Sequence, residues 1–146
     1  MYKKVKVNNI NISNDNPISL IIGPCQIENK EITFEIANTI SKICRSLKIN
    51  YIFKSSFDKA NRSSISGKRG IGIEKGLEIL DQIKNKFNCP IITDVHNPED
   101  CLEVSKVVDM IQIPAFLCRQ TDLILAAAET MLPINVKKGQ FLSPWE

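Results

Sequence analysis

The sequence predicts an α/β protein built on a parallel β-sheet, and two patterns carry this prediction. Five short apolar runs alternate with four segments whose apolar residues recur at helical spacing. This order is typical of parallel strands joined by right-handed crossover helices. The runs are rich in Ile and Val, as expected for strands buried on both faces. A chain of 146 residues is long enough for one domain with a hydrophobic core.

The first predicted element is a short β-hairpin. Residues 2–13 alternate apolar and polar side chains around Asn8-Asn9, a pair that favours a tight turn. The run Asn-Asp-Asn-Pro at residues 14–17 then ends the alternation. A hairpin in this position could close one end of a barrel.

The remaining elements follow in regular order and complete the predicted domain. Pro90, Pro114 and Pro133 stand at strand ends, where a missing N–H group costs little. One domain is therefore predicted over residues 1–146, with the hairpin within 1–13 and five strands within 18–146. The predicted strands cover residues 18–22, 51–53, 91–93, 110–113 and 134–136, and the predicted helices cover residues 31–47, 73–87, 98–104 and 121–130.

Composition argues against nucleic-acid and membrane partners. The net charge of +3 is small and scattered, and no run approaches the length of about 18 apolar residues that a membrane span needs. The N-terminus lacks the apolar centre of a signal peptide. Five cysteines without a CxxC pair indicate neither a disulfide framework nor a zinc ribbon. These features predict a soluble cytoplasmic protein whose cysteines are mostly buried.

A polar, basic stretch at residues 54–64 follows the second predicted strand. Lys54, Lys59 and Arg62 contribute three positive charges, and the hydroxyl and amide groups between them add hydrogen-bond donors. Such a loop suits phosphate or carboxylate groups, and α/β proteins bind their ligands at the carboxyl ends of parallel strands. A solvated basic loop is the alternative on composition alone.

Five short segments carry a family resemblance. They are IIGPC at 21–25, KSSFDKANRSS at 54–64, ITDVH at 92–96, QIPAFLCRQTDL at 112–123 and INVKKGQFLSP at 134–144. In this order they resemble the 3-deoxy-D-manno-octulosonate 8-phosphate (KDO-8-phosphate) synthases, from about residue 11 to the end of the chain. The related synthases of a seven-carbon sugar acid, DAHP, carry Lys-Pro-Arg-Thr where this chain has Lys-Ala-Asn-Arg at 59–62. The resemblance therefore favours the eight-carbon product.

The resemblance also implies a fold and an extent. That family folds as a (β/α)₈ TIM barrel of eight strands, about twice the length of this chain. The chain is then expected to form the N-terminal part of the barrel, with about five strands, preceded by the hairpin. Strands one and five would be open edges, so we expect the isolated chain to be inactive and a poor monomer. An inactive truncated remnant and a seven-carbon synthase are the two alternative interpretations.

The activity implied by the resemblance is a transferase reaction of lipopolysaccharide biosynthesis. Phosphoenolpyruvate condenses with D-arabinose 5-phosphate and water to give the eight-carbon sugar acid phosphate and free phosphate. By resemblance, Lys54 and Lys59 hold the phosphoenolpyruvate carboxylate. Lys137, with Gln140 nearby, contacts its phosphate.

The same resemblance assigns residues to the sugar substrate. Asn61, Arg62 and Ser63 would reach the phosphate and hydroxyl groups of arabinose 5-phosphate, and Ser56 would line the same site. Arg119 belongs to a loop that crosses a subunit interface in the family and offers its guanidinium group to the neighbouring sugar phosphate. This loop implies a homo-oligomer.

Two further positions concern proton transfer and metal binding. Asp94 and His96 follow the third strand, where a carboxylate could bind sugar hydroxyls and an imidazole could move protons near neutral pH. A single histidine is ordinarily a structural or surface residue, and the DVH context favours a catalytic role. Cys25 stands where the metal-dependent branch of the family has a thiolate ligand. The resemblance thus implies a divalent metal with its other ligands on later strands, and no organic cofactor.

Overall fold

A computed structural model describes residues 3–146 of the chain. The chain begins with an antiparallel hairpin of β1 (Val5–Val7) and β2 (Ile10–Ile12), in which Val5 lies opposite Ile12. The turn contains Asn8 at φ 52°, a left-handed conformation that asparagine tolerates better than most residues. The predicted hairpin is confirmed over these residues, and its first predicted position, Tyr2, lies outside the described part of the chain.

The larger sheet has five parallel strands that neighbour one another in chain order and curl into a half-barrel. The prediction of an α/β domain with a parallel sheet is therefore confirmed, and each predicted boundary holds to within one residue. The strands are β3 (Ser19–Ile22), β4 (Asn50–Lys54), β5 (Ile91–Asp94), β6 (Met110–Ile113) and β7 (Ile134–Val136); the helices are α1 (Lys30–Leu47), α2 (Ile73–Phe87), α3 (Pro98–Ser105) and α4 (Thr121–Glu129), with a 3₁₀ turn at Ala115–Leu117.

Helix α1 shows how local sequence and packing act together. Its N-terminus is capped by Asn29, whose side chain accepts a hydrogen bond of 2.9 Å from the Ile32 amide. The buried face consists mainly of small residues, which let the helix approach its neighbours closely; these are Thr33, Ala37, Ile40, Ser41 and Cys44. Part of the apolar stripe that identified the helix is therefore exposed, with Ile43 at 52% and Leu47 at 62%.

Two apolar cores lie on opposite sides of the curled sheet. The larger one packs between the sheet and the helices, around Phe53 and Ile111. The smaller one lies on the inner side, where the hairpin packs through Val7 and Ile10 against three strand residues; these are Ile52, Ile92 and Met110. Because side chains alternate along a strand, the residue two positions beyond each of these three also faces inward. Those next inward residues are Lys54, Asp94 and Gln112, which begin the candidate site.

Most of the cysteines are buried, as predicted. Cys44, Cys89 and Cys101 are buried, Cys118 is partly buried and Cys25 is exposed. All five thiols are free, as the absence of a CxxC pair predicted. Within residues 3–146, the helices all fall short of the length and apolar character needed to cross a membrane.

Candidate functional site

A cavity of about 630 Å³ opens at the carboxyl ends of the parallel strands. Parallel strands end at the same edge of a sheet, so polar residues that follow different strands converge there. Eight of the twelve predicted site residues line this cavity: Cys25, Lys54, Lys59, Asn61, Asp94, His96, Lys137 and Gln140. The structure thus brings together side chains that follow different strands of the sheet.

At the floor of the cavity, Asp94 connects three polar side chains. Its Oδ1 accepts a hydrogen bond from the Ser56 hydroxyl and lies 3.3 Å from Lys54 Nζ. Its Oδ2 lies 3.2 Å from His96 Nε2. Lys54 also donates to Ser56 Oγ at 2.6 Å, which closes a ring of contacts around the carboxylate. The aspartate is therefore held by two strands and by the loop after β5.

This arrangement determines the charge state of the cluster. Burial by itself raises the pKa of Asp94, but the hydrogen bond with His96, the charge of Lys54 and the hydrogen bond from Ser56 together hold that pKa well below its ordinary value. Asp94 is accordingly a carboxylate at neutral pH. Burial lowers the pKa of Lys54, and the charge of Asp94 opposes this shift. Each charge thus favours the ionised form of the other.

Buried hydrogen bonds and a close backbone approach connect the segments that follow β3 and β4 to each other and to β5. The Ser55 hydroxyl donates to the Pro24 carbonyl oxygen at 3.0 Å, and the Thr93 hydroxyl donates to the Ser55 carbonyl oxygen at 2.7 Å. Both side chains are fully buried. At Gly23 the chain passes so close to β4 that an added Cβ atom would overlap the carbonyl oxygen of Lys54. These contacts place the loop that carries Cys25 against the end of β4.

Two lysines provide positive charge that the protein itself does not neutralise. Lys59 and Lys137 reach the cavity from the loops after β4 and β7, and among residues 3–146 neither lies within 4.0 Å of a carboxylate oxygen. Asn61 and Gln140 add amide groups beside them. A site with two uncompensated ammonium groups and neutral donors is suited to phosphate and carboxylate groups.

Four predicted site residues lie outside this cavity in the structure. Ser56 is fully buried beneath it, where it bonds Asp94. The guanidinium group of Arg62 folds into its own loop and donates to the Ile65 and Gly67 carbonyl oxygens at 3.1 and 2.5 Å. Ser63 is exposed on that loop. Arg119 lines an adjacent cavity of about 480 Å³, which it shares with Lys137 and Lys138.

Gln112 belongs to the site but was not predicted from the sequence. It is 7% exposed, lies at the carboxyl end of β6 and lines the cavity. Its Oε1 accepts a hydrogen bond of 3.1 Å from Asn135 Nδ2 on the neighbouring strand. The signal that could have identified Gln112 is its polar amide within an otherwise apolar strand. Apolar residues also line the cavity, among them Pro114, Phe116 and Leu117.

The residues described here do not by themselves form a metal site. Cys25 provides one thiol at the cavity, and the part of the chain that the structure describes contains no group of three or more His, Cys, Asp or Glu side chains arranged to hold a metal. A protein-bound transition metal ordinarily needs about four ligands. No chemical step is therefore assigned to a metal, and the predicted ligand role of Cys25 stays a prediction.

Comparison with known proteins identifies close relatives. A 2-dehydro-3-deoxyphosphooctonate aldolase of Rickettsia prowazekii (strain Madrid E) is 60% identical over 146 residues, which is 100% of this chain and 53% of that protein. Proteins with the same name from Rickettsia typhi (strain ATCC VR-144 / Wilmington) and Rickettsia peacockii (strain Rustic) are 59% and 58% identical, with the same coverage. The chain thus spans about half the length of the curated relatives it matches.

These relatives confirm the resemblance that the five sequence segments carried. The name that they share is a synonym for KDO-8-phosphate synthase. The half-barrel agrees with the N-terminal part of a TIM barrel. The family described as the DAHP synthetase I family matches residues 3–146. The chain therefore belongs to the DAHP synthetase I family.

Proposed function

We propose that this chain forms the substrate-binding half of a synthase that condenses phosphoenolpyruvate with D-arabinose 5-phosphate and water. The products are 3-deoxy-D-manno-octulosonate 8-phosphate and inorganic phosphate. The observation that carries the proposal is the meeting of Lys54, Lys59 and Lys137 at one cavity. Phosphoenolpyruvate carries a carboxylate and a phosphate group on the same carbon atom, and such a ligand suits cations that approach from several strands.

The proposed reaction needs orientation and charge stabilisation more than a strong base. Carbon 3 of phosphoenolpyruvate forms a bond to the sugar aldehyde carbon, the aldehyde oxygen takes a proton, and the oxygen of water bonds to carbon 2. The bond between carbon 2 and the phosphate oxygen then breaks, and phosphate leaves with the bonding electron pair. The oxygen that came from water becomes the keto group, and the two water protons end on the new hydroxyl group and on the phosphate. Positively charged groups around the carboxylate and phosphate would stabilise the charge that shifts during these steps.

Individual roles follow from position in the cavity. Lys54 and Lys59 are proposed to bind the carboxylate, and Lys137 with Gln140 the phosphate. Asp94 and His96 form a hydrogen-bonded pair beside Lys54, which suits them to hold sugar hydroxyls or water and to move a proton. Because Asp94 keeps its charge, His96 is the member of the pair that is proposed to move a proton.

The sugar phosphate is proposed to bind at the polar loop after β4. Asn61 already lines the cavity, and Ser63 is exposed on the same loop. Arg62 would have to leave its two carbonyl partners to reach a phosphate. Arg119 is proposed to serve the site of a neighbouring subunit in a homo-oligomer, as the sequence resemblance implies. Its position in an adjacent cavity, close to Lys137 but outside the main one, is compatible with that role.

One experiment tests this function against its alternatives. The chain is co-expressed with the part of the Rickettsia prowazekii relative that it does not cover, and phosphate release from phosphoenolpyruvate is measured. We expect release with arabinose 5-phosphate and little with erythrose 4-phosphate. The opposite preference would identify a seven-carbon synthase, which the family description also covers. No release with either sugar would support a non-catalytic remnant and contradict the proposal.

Lys137→Met in that assembled enzyme is expected to weaken the binding of phosphoenolpyruvate more than the binding of arabinose 5-phosphate. Loss of a charge-assisted contact to the phosphate corresponds to about 1.5–3 kcal/mol, or a rise in KM of roughly ten-fold or more. Steady-state kinetics with each substrate varied in turn measures the effect. Lys75→Met, which removes an exposed lysine of α2, serves as the control and should leave both constants unchanged. An equal loss for both substrates would count against the assignment.

Metal dependence forms a separate proposal for the complete enzyme. We expect EDTA to abolish product formation by the assembled enzyme, and added divalent metal to restore it, because Cys25 would contribute one ligand to a site completed by the other half. Product formation is followed after exhaustive chelation and after metal is returned. Full activity in the chelated protein would refute a metal requirement.

A further inference from the structure

The loop that carries Lys59 and Asn61 is closed at its base by paired backbone. Beyond the end of β4 the chain runs outward from Phe57 and returns alongside itself at Gly70, where Asp58 and Gly70 form an antiparallel bridge. The Lys59 amide donates to the Arg69 carbonyl oxygen at 2.6 Å. Nearer the base of the loop, the Gly72 amide donates to the Phe57 carbonyl oxygen at 3.2 Å. The two ends of the loop are therefore held side by side.

A side-chain pair reinforces this base. Arg69 Nε lies 2.9 Å from Asp58 Oδ1, and Arg69 Nη2 lies 2.5 Å from Asp58 Oδ2, so the guanidinium group and the carboxylate form a two-pronged contact. The hydrogen bond from Arg69 holds the pKa of Asp58 below its ordinary value, against the effect of burial. A two-pronged contact of this kind fixes orientation as well as distance.

The pair adjoins the candidate site without lining it. Asp58 immediately precedes Lys59, whose side chain lines the main cavity, while Asp58 and Arg69 line a different cavity next to His96 and Asp100. The loop tip is closed separately, by the contacts of Arg62 with backbone carbonyl oxygens. The contacts of the tip and the contacts of the base are therefore made by different residues.

We propose that Asp58 and Arg69 are positioning residues that hold Lys59 and Asn61 toward the ligand. Without the two-pronged contact, the base of the loop keeps only backbone hydrogen bonds, and the direction of Lys59 is less restricted. The inference rests on the proposed function, because the ligand in question is phosphoenolpyruvate. It assigns a role in binding to two residues that do not touch the cavity.

The test is a titration of phosphoenolpyruvate into the assembled enzyme in which this chain is ¹⁵N-labelled, followed by NMR. We expect Arg69→Met to weaken binding by about ten-fold and Arg69→Lys by less, because lysine keeps the charge but not the planar fork. The swap Asp58→Arg/Arg69→Asp is expected to restore part of the affinity. Lys106→Met, which breaks the exposed contact between Lys106 and Glu103 on α3, is the matched control and should leave binding unchanged.

Two local measurements separate positioning from general destabilisation. Exchange of the Lys59 amide should accelerate in Arg69→Met while the amides of β5 stay protected, and the shift of the Lys59 amide on ligand addition should shrink. Unchanged affinity in Arg69→Met and in Asp58→Asn, with wild-type binding intact, would overturn the inference and leave the proposed function standing. No binding of phosphoenolpyruvate by the assembled wild-type enzyme would instead contradict the proposed ligand. Global unfolding of both conservative variants, Asp58→Asn and Arg69→Lys, would also overturn it, since the pair would then serve the fold as a whole.

Discussion

Asp94→Ala is expected to lower the free energy of unfolding of the chain by about 3 kcal/mol and to remove phosphoenolpyruvate binding. The variant leaves Lys54 buried without a counterion, because Asp94 is the one carboxylate within salt-bridge distance of Lys54 among residues 3–146. It also removes the acceptor shared by Ser56 and His96. Urea unfolding followed by circular dichroism, together with the NMR titration, measures the two effects.

The matched control removes both members of the ion pair. Lys54→Met/Asp94→Ala eliminates the uncompensated charge, so it should recover a large part of the lost stability without recovering ligand binding. If Asp94→Ala were as stable as the wild type, the carboxylate would not be the organising group of the cluster. If the double variant were less stable than Asp94→Ala, the cost would come from lost packing and not from an unpaired charge.

The same aspartate gives stability a predictable dependence on pH. Its folded-state pKa lies below the value of about 3.9 expected in the unfolded chain, so the stabilisation is present above about pH 4. It is lost progressively as the pH falls toward the folded-state value. In Asp94→Asn this contribution is absent, so the urea midpoint should change less than in the wild type between neutral pH and about pH 3.

Gly23→Ala is expected to destabilise the chain by about 3 kcal/mol through overlap with backbone rather than side chain. The added Cβ atom would occupy the position of the Lys54 carbonyl oxygen, and neither strand can shift easily because Ile22 and Phe53 are paired next to this point. The same displacement would move Lys54 and Cys25, so ligand binding should fall together with stability. Urea unfolding and the NMR titration report both quantities.

Gly67→Ala is the matched control for this substitution. It adds the same methyl group at an exposed loop position, where the nearest atom, the Ser64 carbonyl oxygen, is 3.2 Å away. We expect its effect on stability to stay within about 0.5 kcal/mol. A wild-type urea midpoint for Gly23→Ala would show that the close approach of β3 to β4 is not needed.

Much of the site was predictable because a parallel sheet brings strand ends together. Lys54, Asp94 and Lys137 each stand at or just past a strand end, and the alternation of strands and helices places those ends on one side. The roles predicted for these residues still await experiment. These side chains come together because parallel strands that neighbour one another in chain order end on the same side of the sheet. The sequence pattern predicts that order of strands.

Other features depended on contacts between residues far apart in the chain. Ser56 looked like a ligand-binding hydroxyl, but it lies beneath the cavity and bonds Asp94, which is 38 positions away. Arg62 looked like a free cation, but its loop folds back so that backbone carbonyl oxygens occupy its guanidinium group. Linear sequence does not show which acceptor lies closest to a flexible donor.

The sequence by itself therefore determined the order of strands and helices, the parallel sheet and the edge at which polar groups gather. These follow from periodicity, turn residues and the constant direction of crossover connections, all of which are local or depend on strand order alone. Only the tertiary structure decided that Asp94 joins Lys54, Ser56 and His96, and that Asp58 and Arg69 close the base of the polar loop. Such pairings depend on distances of a few ångström between separate strands and loop ends, and these distances are set by how the whole chain packs.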